Sequence, residues 1–424
     1  MGRAVEAIQI VNSKPGGKMC KKLNVFLLDG LCMGPWYDFY LYKALQEYVN
    51  VVLGCITFHL EREFFKKNNV KNYPGPLDFV ARLGIRSKFP RQLLKTLEYY
   101  LNLAFLAVRF CLRPIDIMHI QWLPLVTILP FELWFVGALR RRGIKVVYTV
   151  HNVLPHDTGL KHRRVFGRVY RRVDALICHT EQAKKELVSE FGIPEQKIWV
   201  IPHGPLFHDY PRMGRKEAKT RLNLEKNIVV LHFGSIRPYK GTEFLLHAWE
   251  RVAKVHPQAM LLLAGHGEPE YLEKIQCLVA RLGIQEQVRC DFRFIPNEEL
   301  PVYYQAADVI VYPYRDITQS GALLTGMTFG KAIVATAVGG FKETLLPGKT
   351  GMLVNYGDVK GLADSLIELI ENPAERERLG REVRIYLEQH YSWEAIARKT
   401  LECYEWLLRG GELDDHQGTS TFKN

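Results

Sequence analysis

At 424 residues, 47% of them hydrophobic and 24% charged, the chain has the length of two domains and the mix of a folded globular protein. Fibrous, collagen-like and wholly disordered classes are excluded. Basic residues exceed acidic ones by 12, and residues 1–205 hold 30 basic against 16 acidic, whereas residues 206–424 hold 27 against 29. Two halves with such different electrostatics predict two domains that meet different partners, the first of them anionic.

The eight cysteines form no C-x-x-C pair and lack the close spacing of a disulfide framework or zinc site, so they read as reduced, mostly buried thiols of a cytosolic protein. Residues 1–22 are polar and basic, a flexible segment with neither a secretory signal nor a myristoylation acceptor. Leu23 to Leu28 is the first expected strand. It leads into a loop with Gly30 and Gly34, a helix near Tyr37 to Tyr48, and a strand from Val51 to Phe58. Residues 86–113 then mix Lys88, Arg91, Lys95, Arg109 and Arg113 with leucines and aromatic residues. A basic amphipathic helix lying on a membrane has this pattern, and so does a helix packed on a sheet.

Strands are expected at Asp116 to Trp122 and Lys145 to Val150. The apolar run Trp122 to Leu139 between them holds Pro124, Pro130 and Glu132, and reads as the crossover helix of a β-α-β unit rather than a bilayer span. A basic helix (Arg163 to Arg172), a strand (Ala175 to His179), a helix (Glu181 to Phe191) and a short strand (Ile198 to Ile201) follow. The first domain closes near Pro202-His-Gly-Pro205. From Asn227 the alternation restarts, with strands at Ile228 to Phe233, Met260 to Leu263, Val288 to Phe292, Val309 to Tyr312, Ile333 to Ala335 and Met352 to Val354. Helices are expected at Thr242 to Val255, Val359 to Glu371, Ala374 to His390 and Trp393 to Leu408. The fold class is therefore α/β, two parallel sheets with helices on both faces.

In open α/β sheets ligands bind beyond the carboxyl ends of the strands. Four such places carry chemistry. Phe233-Gly-Ser-Ile-Arg-Pro-Tyr-Lys-Gly241 sets Arg237 and Lys240 over a loop whose Gly234 and Gly241 admit close backbone approach, a cradle for a diphosphate or a pair of solvated cations. Tyr312 to Ala322 ends in Ser320 and Gly321 at a helix start, where free N–H groups suit a phosphate and where serine also serves as an ordinary cap. Val338-Gly-Gly-Phe-Lys-Glu343 pairs two glycines with a carboxylate able to accept from hydroxyls. Tyr148 to His156 puts His151, Asn152 and His156 at a strand exit of the first domain.

These residues resemble glycosyltransferase family four, over about Leu23 to Leu408. The most specific pieces are Gly234-Ser-Ile-Arg-Pro-Tyr-Lys-Gly241, Ala307-Asp-Val-Ile-Val-Tyr-Pro313, and Gly330-Lys-Ala-Ile-Val-Ala-Thr-Ala-Val-Gly-Gly340 with Glu343 and Gly348-Lys-Thr-Gly351. The resemblance implies a GT-B architecture, two Rossmann-like doubly wound domains facing a central cleft. Residues 23–205 would bind the acceptor and residues 206–391 the nucleotide-sugar. Residues 392–409 would form a helix crossing back to the first domain, and residues 410–424 a disordered tail.

Carried over residue by residue, the resemblance makes Arg237, Lys240 and His151 the catalytic set. Gly234, Ser235, Asp316, Gln319, Ser320, Gly321, Ala322, Thr325, Gly340 and Glu343 fall on the donor side, and Gly30, Gly34, Asn152 and His156 on the acceptor side. The family commonly carries two glutamates eight positions apart, and those places hold Ile317 and Thr325 here. Asp316, or Gln319 with Ser320, is left to replace them. Transfer would proceed from a nucleotide-sugar co-substrate with retention of configuration, in polysaccharide or glycolipid assembly, to a glycan, a lipid-linked sugar or a small molecule. No cofactor is expected and no metal, since no Asp-x-Asp pair exists to hold one. A cytoplasmic location at the inner face of the membrane follows. The competing reading is a non-catalytic nucleotide-sugar or glycan-binding protein on the same scaffold. Nucleic acid is not expected, because the basic clusters lie on helices and loops without interleaved aromatic residues on a strand surface.

Overall fold

The computed structural model describes residues 22–54, 62–73, 75–77, 79–82, 84, 88–155, 160–210, 213–317 and 320–411. The expected flexible start (but for Lys22), the tail beyond residue 411, and His156 and Gln319 lie outside them.

The first half contains β1 (Asn24–Asp29), α1 (Pro35–Leu45), β2 (Asn50–Gly54), α2 (Arg62–Lys67), α3 (Phe79–Arg82), α4 (Lys88–Leu112), β3 (Ile117–Trp122), α5 (Phe131–Arg141), β4 (Lys145–Val150), α6 (Arg163–Arg172), β5 (Ala175–Cys178), α7 (Glu181–Phe191) and β6 (Ile198–Val200). The second contains α8 (Arg215–Arg221), β7 (Ile228–Phe233), α9 (Thr242–Val255), β8 (Ala259–Ala264), α10 (Pro269–Arg281), β9 (Val288–Asp291), α11 (Leu300–Ala306), β10 (Val309–Tyr312), α12 (Gly321–Thr328), β11 (Ala332–Thr336), α13 (Phe341–Thr344), β12 (Met352–Val354), α14 (Val359–Glu371), α15 (Pro373–His390) and α16 (Trp393–Leu408).

Each half builds one six-stranded parallel sheet, in the orders β2-β1-β3-β4-β5-β6 and β12-β11-β10-β7-β8-β9. The strands are short, nearly unbroken apolar runs because both faces are covered. In the first sheet, Phe26, Met118 and Val146 face the core under α4, α5 and α6, while Val25, Ile117 and Val147 face the core shared with α1 and α16. The order reverses between β1 and β3 and again between β7 and β10, and a crevice opens at such switch points. The residues that matter below lie at the carboxyl ends of β3, β4, β5 and β6 in the first sheet and of β7 and β10 in the second.

Two expectations change in detail. The run Trp122 to Leu139 is not helical throughout: residues 124–128 are turns and α5 starts only at Phe131. Pro124 disfavours a helical Leu123, and Pro130, which lacks an N–H, stands at the helix entrance. The second strand ends at Gly54, and the rest of the expected Val51 to Phe58 run lies outside the described residues.

The last helix belongs to the second half in sequence and to the first in packing. Ser392 caps it through Ala395 N at 3.2 Å. The Trp393 indole donates to Pro205 O at 2.8 Å and stacks on Tyr40. Gly204 leaves room for that indole, since a Cβ there would lie 2.3 Å from it. One turn from the other end, Tyr404 Oη lies 2.6 Å from His119 Nδ1 beneath the first sheet.

Candidate active site

A cleft of about 320 Å³ lies between the two sheets. Trp122, His151, Asn152, His179 and His203 line it from the first half, each at or just after the carboxyl end of a strand, and Tyr239, Lys240, Tyr314, Ile317, Ser320, Gly321 and Ala322 line it from the second. The structure thus brings His151, Asn152, Lys240, Ser320, Gly321 and Ala322 together from the expected set.

Lys240 is the central charge. Its side chain is buried, with only 7% of the residue exposed, and its ammonium sits over the Tyr314 ring at 5.2 Å. Gly234, at φ +120°, makes room for it, because a Cβ there would come within 3.1 Å of the Nζ. No carboxylate pairs with this ammonium among the described residues. Burial holds its pKa below the ordinary lysine value, and the nearby Arg237 guanidinium pushes the same way, partly offset by Tyr239. A buried cation without a counter-ion is costly unless a ligand anion supplies one.

The start of α12 faces the same space. Ser320 caps the helix, its Oγ accepting from Leu323 N at 3.3 Å, so the Gly321 and Ala322 amides point free at the helix's positive end. Arg237 is exposed and stands outside the lining, three residues before Lys240 in the chain.

On the opposite wall the His151 ring stacks on Trp122 at 4.7 Å and 8°, and meets the edge of Tyr37 at 4.9 Å. Burial, reinforced by His179, His203 and His119, holds its pKa well below the ordinary value, so the ring is neutral. His179 Nδ1 donates to Ile201 O at 2.9 Å, which leaves its Nε2 to accept from His151 Nδ1 at 3.2 Å. His151 Nε2 is then an acceptor, 3.1 Å from the Gln121 side-chain oxygen. Two neutral rings therefore require the Gln121 amide to be turned so that its nitrogen, otherwise without a partner, donates to His151. Both nitrogens of His151 are engaged within the first domain. Among the described residues of this strand exit, Asn152 is half-buried and lines the cleft.

Other expected residues go elsewhere. Thr325 is buried inside α12 and its hydroxyl donates to Gly321 O at 2.8 Å, so it does not reach the cleft. Asp316 is exposed and outside the lining. Ser235 is half-buried in the loop after β7 and outside the lining, and Gly340 N donates to Ile317 O at 3.3 Å. Glu343 crosses between the sheets: its two carboxylate oxygens accept from Glu181 N and Gln182 N, at 2.8 Å each, at the start of α7. Gly34 N donates to the buried Asp29 at 2.9 Å, and Gly30 packs on Tyr99, so these glycines shape the loop after β1 rather than the cleft wall. Sequence reasoning missed Trp122, His179, His203, Tyr239 and Tyr314, although Trp122 closes β3 and His179 and His203 follow β5 and β6, so that the same positional rule covers them.

Comparison with known proteins agrees with this geometry. The model of the Glycosyltransferase Family 4 domain matches residues 58–204, and that of Glycosyl transferases group 1 matches residues 214–385, together about three quarters of the chain. The chain belongs to glycosyltransferase family 4. The D-inositol 3-phosphate glycosyltransferase of Nocardioides sp. is 29% identical over 296 residues, 63% of this chain and 64% of that one. The enzyme of the same name from Kribbella flavida is 27% identical over 63% of this chain and 68% of its own length. The family 4 chain thus spans just under two thirds of the Nocardioides relative. Among solved structures, Anabaena Alr3699/HepE in complex with UDP and glucose superimposes with a TM-score of 0.71 over 90% of this chain and 99% of that chain, at 17% identity. The sucrose-phosphate synthase of Thermosynechococcus elongatus gives 0.70 over 92% of this chain and 100% of that chain, at 21% identity. The fold is therefore GT-B, two Rossmann-like domains across a cleft.

Proposed function

We propose that this family 4 chain transfers a sugar from a nucleotide-sugar donor to an acceptor hydroxyl with retention of configuration, in polysaccharide or glycolipid assembly. The observation that carries the reading is Lys240, a buried ammonium without a carboxylate, facing the free amides of Gly321 and Ala322 across one cleft. Breaking a sugar–phosphate bond builds negative charge on the departing diphosphate, and donors fixed there act most strongly in the transition state. Lys240 and the α12 amides hold the diphosphate, with Arg237 at the rim. The acceptor attacks from the same face and passes its proton to the leaving phosphate. The neutral His151 ring, locked between Trp122, His179 and Gln121, shapes the pocket for the transferred sugar beside Asn152.

Because these cations do the work of a metal, turnover is expected to survive excess chelator. Abolition by chelator with rescue by magnesium or manganese contradicts the assignment. Calorimetric titration with UDP, GDP and ADP tests the site itself. One of them is expected to bind, and Lys240→Met to weaken it by about tenfold or more, as the loss of a charge-assisted contact does. No binding by any of the three removes the reading. The non-catalytic alternative is favoured by one observation, the commitment of the Thr325 hydroxyl to its own helix where the family's second glutamate would stand. It predicts tight nucleotide binding with no turnover of any donor.

A further inference from the structure

The helix α4 is apolar on two sides. Its inner side, with Tyr99, Leu103, Leu106 and Phe110, packs into the first core. Its outer side carries Leu93, Leu97, Leu101, Phe105, Val108 and Leu112, all between 44% and 76% exposed. The spacings of three and four residues align them in a single stripe, about 29 Å long at 1.5 Å per residue. The segment entering α5 extends the stripe sideways with Ile128, Leu129 and Trp134, held against α4 by the contact of Phe131 with Tyr100, and Phe131 in turn meets Trp134. Of the 17 exposed large hydrophobic residues among those described, nine sit on this face. Single exposed leucines are ordinary, whereas a contiguous stripe of this length marks an interaction surface.

Charge identifies the occupant. Glu98 is the one acid in α4, and it is fully buried, accepting from Val80 N at 3.0 Å and Lys95 Nζ at 2.7 Å. The outer side of α4 therefore presents no negative charge, while the exposed Arg91, Arg109 and Arg113 flank it and Arg141 ends the neighbouring α5, next to an Arg140 that is paired with Asp174. An apolar stripe bordered by arginines, with an exposed tryptophan, is the chemistry of a helix lying in the interface of an acidic bilayer. No helix among the described residues is long and apolar enough to cross a membrane.

We infer that the outer side of α4, with Ile128, Leu129 and Trp134, lies on the surface of a bilayer containing acidic lipid. The inference stands independently of the transfer chemistry, and vesicle binding tests it without any donor. The full-length protein is floated with phosphatidylcholine vesicles, with and without phosphatidylglycerol, at low and high salt. Binding is expected to the acidic vesicles, with release as salt rises. Leu97→Asp with Leu101→Asp should abolish it while leaving the melting temperature unchanged, since both side chains are exposed. Arg109→Glu with Arg113→Glu should reduce it by about tenfold or more through loss of headgroup attraction. The inference is overturned if the wild type ignores acidic vesicles at low salt. It is equally overturned if light scattering finds a stable dimer that the two aspartates convert to monomer, because a second copy then covers the face.

Discussion

Lys240→Met should lower turnover by on the order of a hundredfold, the loss seen when one transition-state donor is removed, without lowering thermal stability. The two halves of this expectation have a common cause. The ammonium is buried against Tyr314 without a carboxylate, so the free protein bears the desolvation cost of a charge it does not pair. Methionine fills much the same space without that cost, and only the ring contact is lost, about 0.5–2 kcal/mol for a cation over an aromatic face. A melting temperature equal to or above that of the wild type is the expected reading. Turnover at the wild-type level would show that this ammonium does not meet the leaving group. A collapse of the melting temperature would show that it is structural.

Acidification from pH 7.5 to 5.5 should destabilise the protein strongly. His119, His179 and His232 are buried and His151 and His203 are half-buried at the cleft, and loss of hydration is the leading cause that lowers each pKa, to about 3 for His119 and His203 and about 4 for His179 and His232. The unfolded chain takes up these protons near the ordinary histidine pKa and the folded chain does not, so stability falls as pH drops through about 6.5. Buried carboxyls oppose the trend. Glu132, pushed up to about 7 chiefly by burial, and Asp38, raised well above its ordinary value by burial and by Asp29, hold protons in the folded state that the unfolded chain lacks. Asp29, also raised by burial, acts in the same sense. Asp29 and Asp38 share a hydrogen bond and oppose each other's ionisation, so these carboxyls offset only part of the five histidines, and the net sense is a loss of stability as pH falls. Urea midpoints across this range check the slope. A flat profile would mean that the histidine cluster is already charged in the folded protein.

Much of the fold was legible because parallel strands buried on both faces must be short apolar runs, and Ile228 to Phe233 or Lys145 to Val150 allow no other reading. The cleft was legible where a loop announces its chemistry, as at Gly234 to Gly241 and Ser320 to Ala322. His179 and His203 were not singled out, since each looks like an isolated polar residue until β4, β5 and β6 lie side by side. Thr325 was placed with the donor from its position alone. Inside a helix a threonine hydroxyl takes the carbonyl four residues back, and it did so here. Glu343 was expected on the donor side, whereas its carboxylate accepts from Glu181 N and Gln182 N, partners that depend on how the two domains meet. The mixed composition of residues 86–113 left membrane and core readings open, and only the packing of α4 separates an inner apolar side from an outer one.

The most direct test of the central claim is a donor screen with the purified full-length chain, scoring nucleoside diphosphate release and the anomer of the sugar transferred. The account predicts release from one nucleotide-sugar class, faster with acceptor present, slowed about a hundredfold in Lys240→Met, and a product that keeps the donor's anomeric configuration. Tight nucleotide binding without release from any donor would contradict it and leave the chain a binding protein on a transferase fold.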